Sequence, residues 1–248
     1  MKLSGRIKIL ILLSGIFLIL IFSEWTWRAI VSGIAPDPST AIYDRAPFHV
    51  LVREHISLVF ISSIMATFIG LLAGIFVTRE SGRDFMHVVN AIASIGQTFP
   101  PVAVLAIAVP IVGFGFKPTL IALFIYGLLP VIRNTIAGLD SVPVDVIETA
   151  KGMGMTPIQV LSKVELPLSM PVVMAGVRIS TVINIGTATL GATIGAGGLG
   201  APIIAGIISD NPAYIIEGAV LVGLFAIIVD TMLGGFESSF KFQVSSFT

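Results

Sequence analysis

Cysteine is absent from this 248-residue sequence, which excludes disulfides, thiolate metal sites and thiol catalysis at once. Charge is scarce too. Only 11% of residues are charged, 14 of each sign, so the clustered positive charge that nucleic-acid phosphates require is missing and no nucleic-acid partner is expected. The three histidines, His49, His55 and His87, sit at the edges of apolar runs, where an interfacial or solvated imidazole outweighs a metal ligand. They are assigned no role, and no metal is expected. A P-loop of the form Gly-x4-Gly-Lys-Ser/Thr is also lacking, so no nucleotide site is expected in this chain. What remains is apolar: 55% hydrophobic residues and a mean hydropathy of +1.02 place the chain in a bilayer.

A hydrocarbon core about 30 Å thick takes roughly 20 helical residues to cross. Six apolar runs approach that length, at 7–23, 56–78, 88–112, 118–132, 170–194 and 218–236. The expected fold is therefore all-α, with about six transmembrane helices. The first run follows Lys2, Arg6 and Lys8 as a signal peptide would. The stretch Ser23-Glu24-Trp25-Thr26-Trp27 offers no small-x-small cleavage site, however, and Trp25 and Trp27 suit a membrane interface, so the run reads as a span.

With the N-terminus in the cytoplasm, Lys2, Arg6, Lys8, Arg79, Arg83, Arg133, Lys151, Lys163 and Lys241 fall inside, and Arg28, Arg45, Arg53 and Lys117 fall outside. The positive-inside rule selects that orientation, with both termini cytoplasmic. The chain then divides into a first helix and external segment (1–52), a main membrane domain (53–236) with a cytoplasmic loop at 133–168, and a tail (237–248). Pro36, Pro38 and Pro47 among Asp37, Asp44 and Arg45 give the external segment the composition of a surface loop.

The cytoplasmic loop implies two short helices joined at a glycine. Asp145 and Glu148 complement the dipole of the first helix, and Gly154 supplies a permissive backbone for its end. In the second, Thr156 is a good N-cap, Pro157 fits the first helical position, and Gln159 completes a capping box. Such a pair is a lever that a partner could grip.

Here the sequence resembles the permease subunits of binding-protein-dependent ABC importers. Their signature is Glu-Ala-Ala, three residues, Gly, nine residues, Ile-x-Leu-Pro. The chain has Glu148-Thr149-Ala150, three residues, Gly154, nine residues, Val164-Glu165-Leu166-Pro167, departing at Thr149 and Val164, which stay compact. The resemblance implies a type I importer permease fold in a bacterial cytoplasmic (inner) membrane. It also implies that Glu148, Thr149, Ala150 and Gly154 belong to a helix that docks on a cytoplasmic ABC ATPase dimer, with Pro167 returning the chain to the membrane. The alternative is an ordinary loop helix in which Glu148 pairs with Lys151.

The further implied partners are a second permease subunit, identical or paralogous, and an extracytoplasmic solute-binding protein. ATP and Mg would belong to the ATPase, leaving this chain without a cofactor and without enzyme activity. Gln97-Thr98-Phe99-Pro100-Pro101-Val102-Ala103, Ile185-Gly186-Thr187-Ala188-Thr189-Leu190 and Gly195-Ala196-Gly197-Gly198-Leu199-Gly200 resemble the osmoprotectant branch, importers of glycine betaine, choline or carnitine. Methionine permeases share part of the glycine pattern and supply the alternative substrate.

Within the spans, Pro100 and Pro101 predict a kink beside a cavity, with Gln97 and Thr98 either lining the path or bonding between helices. Ser63, Thr67, Gly70 and Gly74 form a small-residue stripe that reads as helix packing. Gly176, Ser180, Asn184, Thr187 and Gly191 share one face of the fifth span. That face is read as a translocation surface, with helix association as the alternative, because Asn184 needs a partner or water. Arg178 and Asp230, about 12 and 9 Å from the same side, are expected to pair; separate snorkelling is the alternative. No group of aromatic residues in the sequence resembles the cages that hold quaternary ammonium ions. An intramembrane enzyme would need a nucleophile and base at depth, and the residues for one are lacking.

Overall fold

A computed structural model describes the backbone of residues 2–31, 33–35 and 41–245, and the side chains of 5–31, 33–35 and 41–240. Pro36, Asp37 and Pro38 of the surface-loop reading lie outside the described residues, and the side chains of Lys2 and Lys241 are likewise outside. The described residues form helices without strands: α1 (Lys2–Phe22), α2 (Glu24–Val31), α3 (Phe48–Thr78), α4 (Met86–Thr98), α5 (Pro101–Val112), α6 (Phe116–Asp140), α7 (Val144–Gly152), α8 (Pro157–Val160), α9 (Leu166–Ala188), α10 (Gly200–Ile208) and α11 (Pro212–Ser245). A short 3-10 turn precedes α4, a second follows α9, and a π turn (Leu161–Glu165) joins α8 to α9.

Small residues set how the long helices meet, because they let backbones approach closely where lipid supplies no hydrophobic drive between helices. Gly70 and Gly74 of α3 lie against Val131 and Thr135 of α6, and Ala66 lies against Gly127, so these two helices run parallel. On the other face of α6, Gly127 meets Ser180 and Gly138 meets Ser169, so α9 is antiparallel to α6. Arg178 faces Gly234 while Arg6 reaches Gly234 and Ser238, making α11 antiparallel to both α9 and α1.

A topological requirement follows from the parallel pair. The chain leaves one end of α3 and must enter α6 at the opposite end, so the segment between them carries it back across the bundle. That segment is α4 and α5, bent by 96° at their junction. Their 13 and 12 residues extend only about 20 and 18 Å, each too short to cross alone. Among the described residues five helices are long and apolar enough to span, and the bent pair makes the sixth passage. The described parts of α1 and α11 then place both chain termini at one end, beside the α7–α8 loop.

The kink expected at Pro100 and Pro101 is therefore a full break. Phe99 takes extended backbone, as residues before proline do, and Pro101 opens α5 at a position where its missing N–H is no loss. Other expectations need correction. The segment read as surface loop holds α2, which buries Trp27 and Val31 one turn apart and donates Trp27 Nε1–H to the Leu20 carbonyl at 2.7 Å. Trp25 alone is exposed as an interfacial residue would be. Helix α10 was not anticipated in the glycine-rich stretch, and α11 starts at Pro212 rather than near 218. His49 and His87 are exposed, but His55 is fully buried: its Nε2 donates to the Ile185 carbonyl at 3.1 Å and its ring meets Phe225 edge-on. The apolar run that begins one residue later hid this, because α3 extends inward from Phe48 and takes His55 with it.

Candidate functional site

The α7–α8 element stands at the end of the bundle that also carries Arg6, Arg79 and Arg133. It is held by local chemistry. In α7, Thr149 Oγ1 donates to the Asp145 carbonyl at 2.7 Å, and Ala150 is the residue that turns inward. Gly154 (φ 83°) ends the helix: its N–H donates to the Lys151 carbonyl at 2.9 Å, and the Met155 N–H reaches back to Ala150 at 3.2 Å. That pair of bonds is the Schellman closure, which requires a left-handed residue at Gly154. Thr156 and Gln159 then form the expected capping box, with Thr156 N–H donating to Gln159 Oε1 at 2.8 Å and Pro157 in the first turn.

Val144, Met153 and Ile158 are exposed around this element. Glu148 is exposed too, and among the described residues it forms no ion pair with Lys151. The capped helix pair thus presents apolar side chains beside an exposed carboxylate.

The return to the bundle passes through the π turn, where the Leu166 N–H donates five residues back to Leu161. Pro167, which is exposed, explains the widening, since a proline ring crowds the carbonyl four residues earlier. Glu165 closes this turn, and its carboxylate is buried against the end of α3, where Arg79 Nη1 donates to Oε2 at 2.6 Å. Sequence reasoning counted Arg79 only as an orientation charge and passed over Glu165. An acid between Val164 and Leu166 was the available signal.

Gln97 and Thr98 lie at the break between α4 and α5. Pro130 has no N–H to give the Tyr126 carbonyl one turn back, and Gln97 Nε2 supplies the donor at 2.9 Å. Thr98 Oγ1 donates to the Ile95 carbonyl in its own helix. Gln97 thus bonds between helices. The angle of the bent pair against α6 encloses an apolar recess of about 620 Å³, lined by residues such as Ile92, Ile95, Phe99, Ile107, Ile125 and Ile132.

The α9 stripe packs against neighbouring helices at most of its positions. Asn184 is fully buried, with its Nδ2 3.1 Å from Ser63 Oγ and 3.3 Å from Ser62 Oγ on α3. Ser180 Oγ donates to the Gly127 carbonyl at 2.8 Å, Gly176 packs on Asn134, and Gly191 packs on Thr119. Small and polar residues on one face serve packing here, and the Asn184 amide nitrogen finds its partners on α3. Thr187 is half-buried beside this face.

Arg178 and Asp230 are brought together: Nε donates to Oδ1 at 2.5 Å and Nη2 to Oδ2 at 2.6 Å, a two-pronged pair, while Nη1 reaches Glu237 at 3.3 Å. Arg178→Ala and Asp230→Ala are each expected to destabilise the folded chain by about 1–3 kcal/mol, and the charge-swapped double substitution to recover part of that loss. Thermal unfolding of the four proteins in detergent measures the coupling. A double no better than the sum of the singles removes the pair as a source of stability.

At the opposite end, Glu54 Oε2 accepts the Gly198 N–H at 2.8 Å, tying the start of α3 to the glycine-rich stretch. Glu217, fully buried in α11, accepts the Tyr43 N–H at 3.0 Å. The aromatic pairs nearby, Tyr43 with Tyr214 and Trp27 with Phe48, are packed inside the core rather than arranged around a cavity.

Comparison with known proteins adds the following. Residues 66–241 match the family model described as binding-protein-dependent transport system inner membrane component. The osmoprotectant import permease protein OsmY of Salmonella typhimurium is 46% identical over 75% of this chain and 79% of its own length. The choline transport system permease protein OpuBB of Bacillus subtilis is 42% identical, over 73% of this chain and 82% of its own. Among solved structures, an inward-facing form of the MetNI methionine ABC transporter superposes with a TM-score of 0.70 at 25% identity, over 78% of this chain and 95% of the matched chain.

Proposed function

This chain belongs to the binding-protein-dependent transport system inner membrane components, the multi-pass permease subunits of ABC importers, and from that premise we propose that it imports an osmoprotectant such as glycine betaine, choline or carnitine. The observation that carries the substrate is consistency: relatives 40–46% identical are named for osmoprotectant, choline, carnitine or glycine betaine transport, whereas the methionine transporter is 25% identical.

Importers of this family work with an ATPase and a solute-binding protein. In our reading the α7–α8 element docks on a cytoplasmic ABC ATPase dimer through Glu148, Thr149, Ala150 and Gly154, while Pro167 directs the chain back into the bilayer. A second permease subunit, identical or paralogous, completes the path. ATP and Mg stay on the ATPase, and this chain performs no chemistry. The loop end faces the cytoplasm, since Arg6, Lys8, Arg79, Arg83, Arg133, Lys151 and Lys163 gather there. The membrane domain spans 53–236, preceded by the first helix and external segment and followed by the tail. Solute passes beside the α4–α5 break, where Thr98 is exposed and Gln97 holds the break open, and past Thr187.

Selective recognition of the quaternary ammonium group falls to the external binding protein, a division supported by the closed packing of the Tyr43–Tyr214 and Trp27–Phe48 pairs. Proteoliposomes containing the full transporter test the proposal. ATP-dependent and binding-protein-dependent uptake of labelled glycine betaine, choline or carnitine is the expected result. Uptake of methionine instead, or uptake that persists without ATP, overturns it.

A further inference from the structure

The ATPase-facing element continues into α9 through its own backbone, but α3 lies far from it along the chain. Arg79 joins the two by an ion pair. It sits at the C-cap of α3, braced by its own neighbour, since Nε and Nη2 both approach Thr78 Oγ1 at 3.3 and 3.2 Å, and this aims Nη1 at Glu165. Glu165 is the last residue of the π turn and its side chain is only 9% exposed, so its charge is largely removed from water and depends on Arg79. The opposite end of the same helix is tied twice more, by Glu54 to the Gly198 N–H and by His55 to the Ile185 carbonyl. Helix α3 has 31 residues, about 46 Å, and so runs between the loop end and the glycine-rich stretch with a polar anchor at each.

We propose that the Arg79–Glu165 pair is a positioning contact that makes α3 follow the α7–α8 element, so that ATPase closure moves α3 and α9 together and is felt at the glycine-rich stretch. The idea rests on the reading that α7–α8 receives the ATPase. Without the pair, movement would still enter α9 through the backbone, while α3 would lag. ATP would be spent with less solute moved.

The test uses the complete transporter in proteoliposomes, with glycine betaine uptake and ATP hydrolysis measured in the same vesicles. Arg79→Gln and Glu165→Gln are each expected to lower the solute moved per ATP about fivefold or more, in complexes that still assemble with the ATPase. The swapped double, Arg79→Glu with Glu165→Arg, should regain a large part of the ratio. Arg79→Lys, which keeps the charge but not the fork, gives a second answer even if the swap does not insert: its ratio should exceed that of Arg79→Gln. A purely structural contact would lower the amount of assembled complex and leave the ratio of what assembles unchanged, and that result overturns the proposal. A ratio for Arg79→Lys no higher than for Arg79→Gln overturns it as well. Normal wild-type uptake with unaltered ratios in the variants rejects the role of the pair alone, whereas wild-type vesicles without ATP-dependent uptake reject the functional reading beneath it.

Discussion

Gly154→Pro is expected to abolish uptake and reduce ATPase association at least tenfold, while the chain still inserts in the membrane. The glycine holds φ at 83°, where an ordinary residue costs about 1–2 kcal/mol and proline, locked near −65°, cannot go. Proline also removes the N–H that closes α7 on Lys151, and with it the geometry that lets Met155 reach Ala150. Two carbonyls lose their donors and α8 swings away from α7. A Cβ at Gly154 would meet nothing within 4 Å, so the lesion stays local. A pull-down with the ATPase, set beside membrane-fraction yield, measures both halves of the expectation. Normal association with normal uptake would remove α7–α8 from the coupling path. Glu148→Lys should act in the same direction through charge alone.

Gly127→Val strikes the bundle instead of the loop. A Cβ at this position would lie 2.8 Å from Ser180 Oγ, 2.9 Å from Ala66 Cβ and 3.1 Å from Asn184 Nδ2, so α3, α6 and α9 would all be pushed apart. Overpacking of this kind costs about 1–3 kcal/mol. The Ser180 and Asn184 hydrogen bonds would be lost with it, at about 1–3 kcal/mol for a group left buried and unpaired. The expected result is a chain that no longer purifies as a single folded species, read by thermal unfolding and size exclusion. Asn184→Leu removes part of the same bonding without adding bulk at the crossing and should lose less. Gly223→Ala, where a Cβ meets nothing within 4 Å, is the control and should leave stability unchanged. Equal behaviour of Gly127→Val and this control would contradict the packing account of the small-residue faces.

How much of the fold and the site is legible in the sequence depends on sequence distance. The α7–α8 element was legible because its caps are local: Gly154, Thr156, Pro157 and Gln159 act within five residues of one another, and the signature around them is continuous. Arg178 and Asp230 were legible across 52 positions only because two charges in apolar spans at matching depth have few other partners to choose. The Arg79–Glu165 contact spans 86 positions and His55–Ile185 spans 130, and no periodicity encodes either. The partners of Asn184 are illegible for a related reason. A polar residue on a small-residue face needs a partner, but the sequence could not say that Ser62 and Ser63 of another helix would provide it. Pro100 and Pro101 announced a kink, while its size was set by α6, whose parallel course beside α3 obliges the chain to turn back.

That dependence on α6 also imposes an order on how the protein is made. The halves of the bent pair emerge from the ribosome before the helix they lean on, and until residue 126 is in the bilayer Gln97 lacks the carbonyl that it satisfies in the finished protein. In hydrocarbon an amide without a partner is costly, so the nascent segment gains by waiting at the insertion machinery or lying near the headgroups. Arrival of α6 supplies the acceptor and the apolar wall together. The bent passage is thus completed only once α6 has followed it, and a chain interrupted before residue 126 would leave Gln97 without that acceptor.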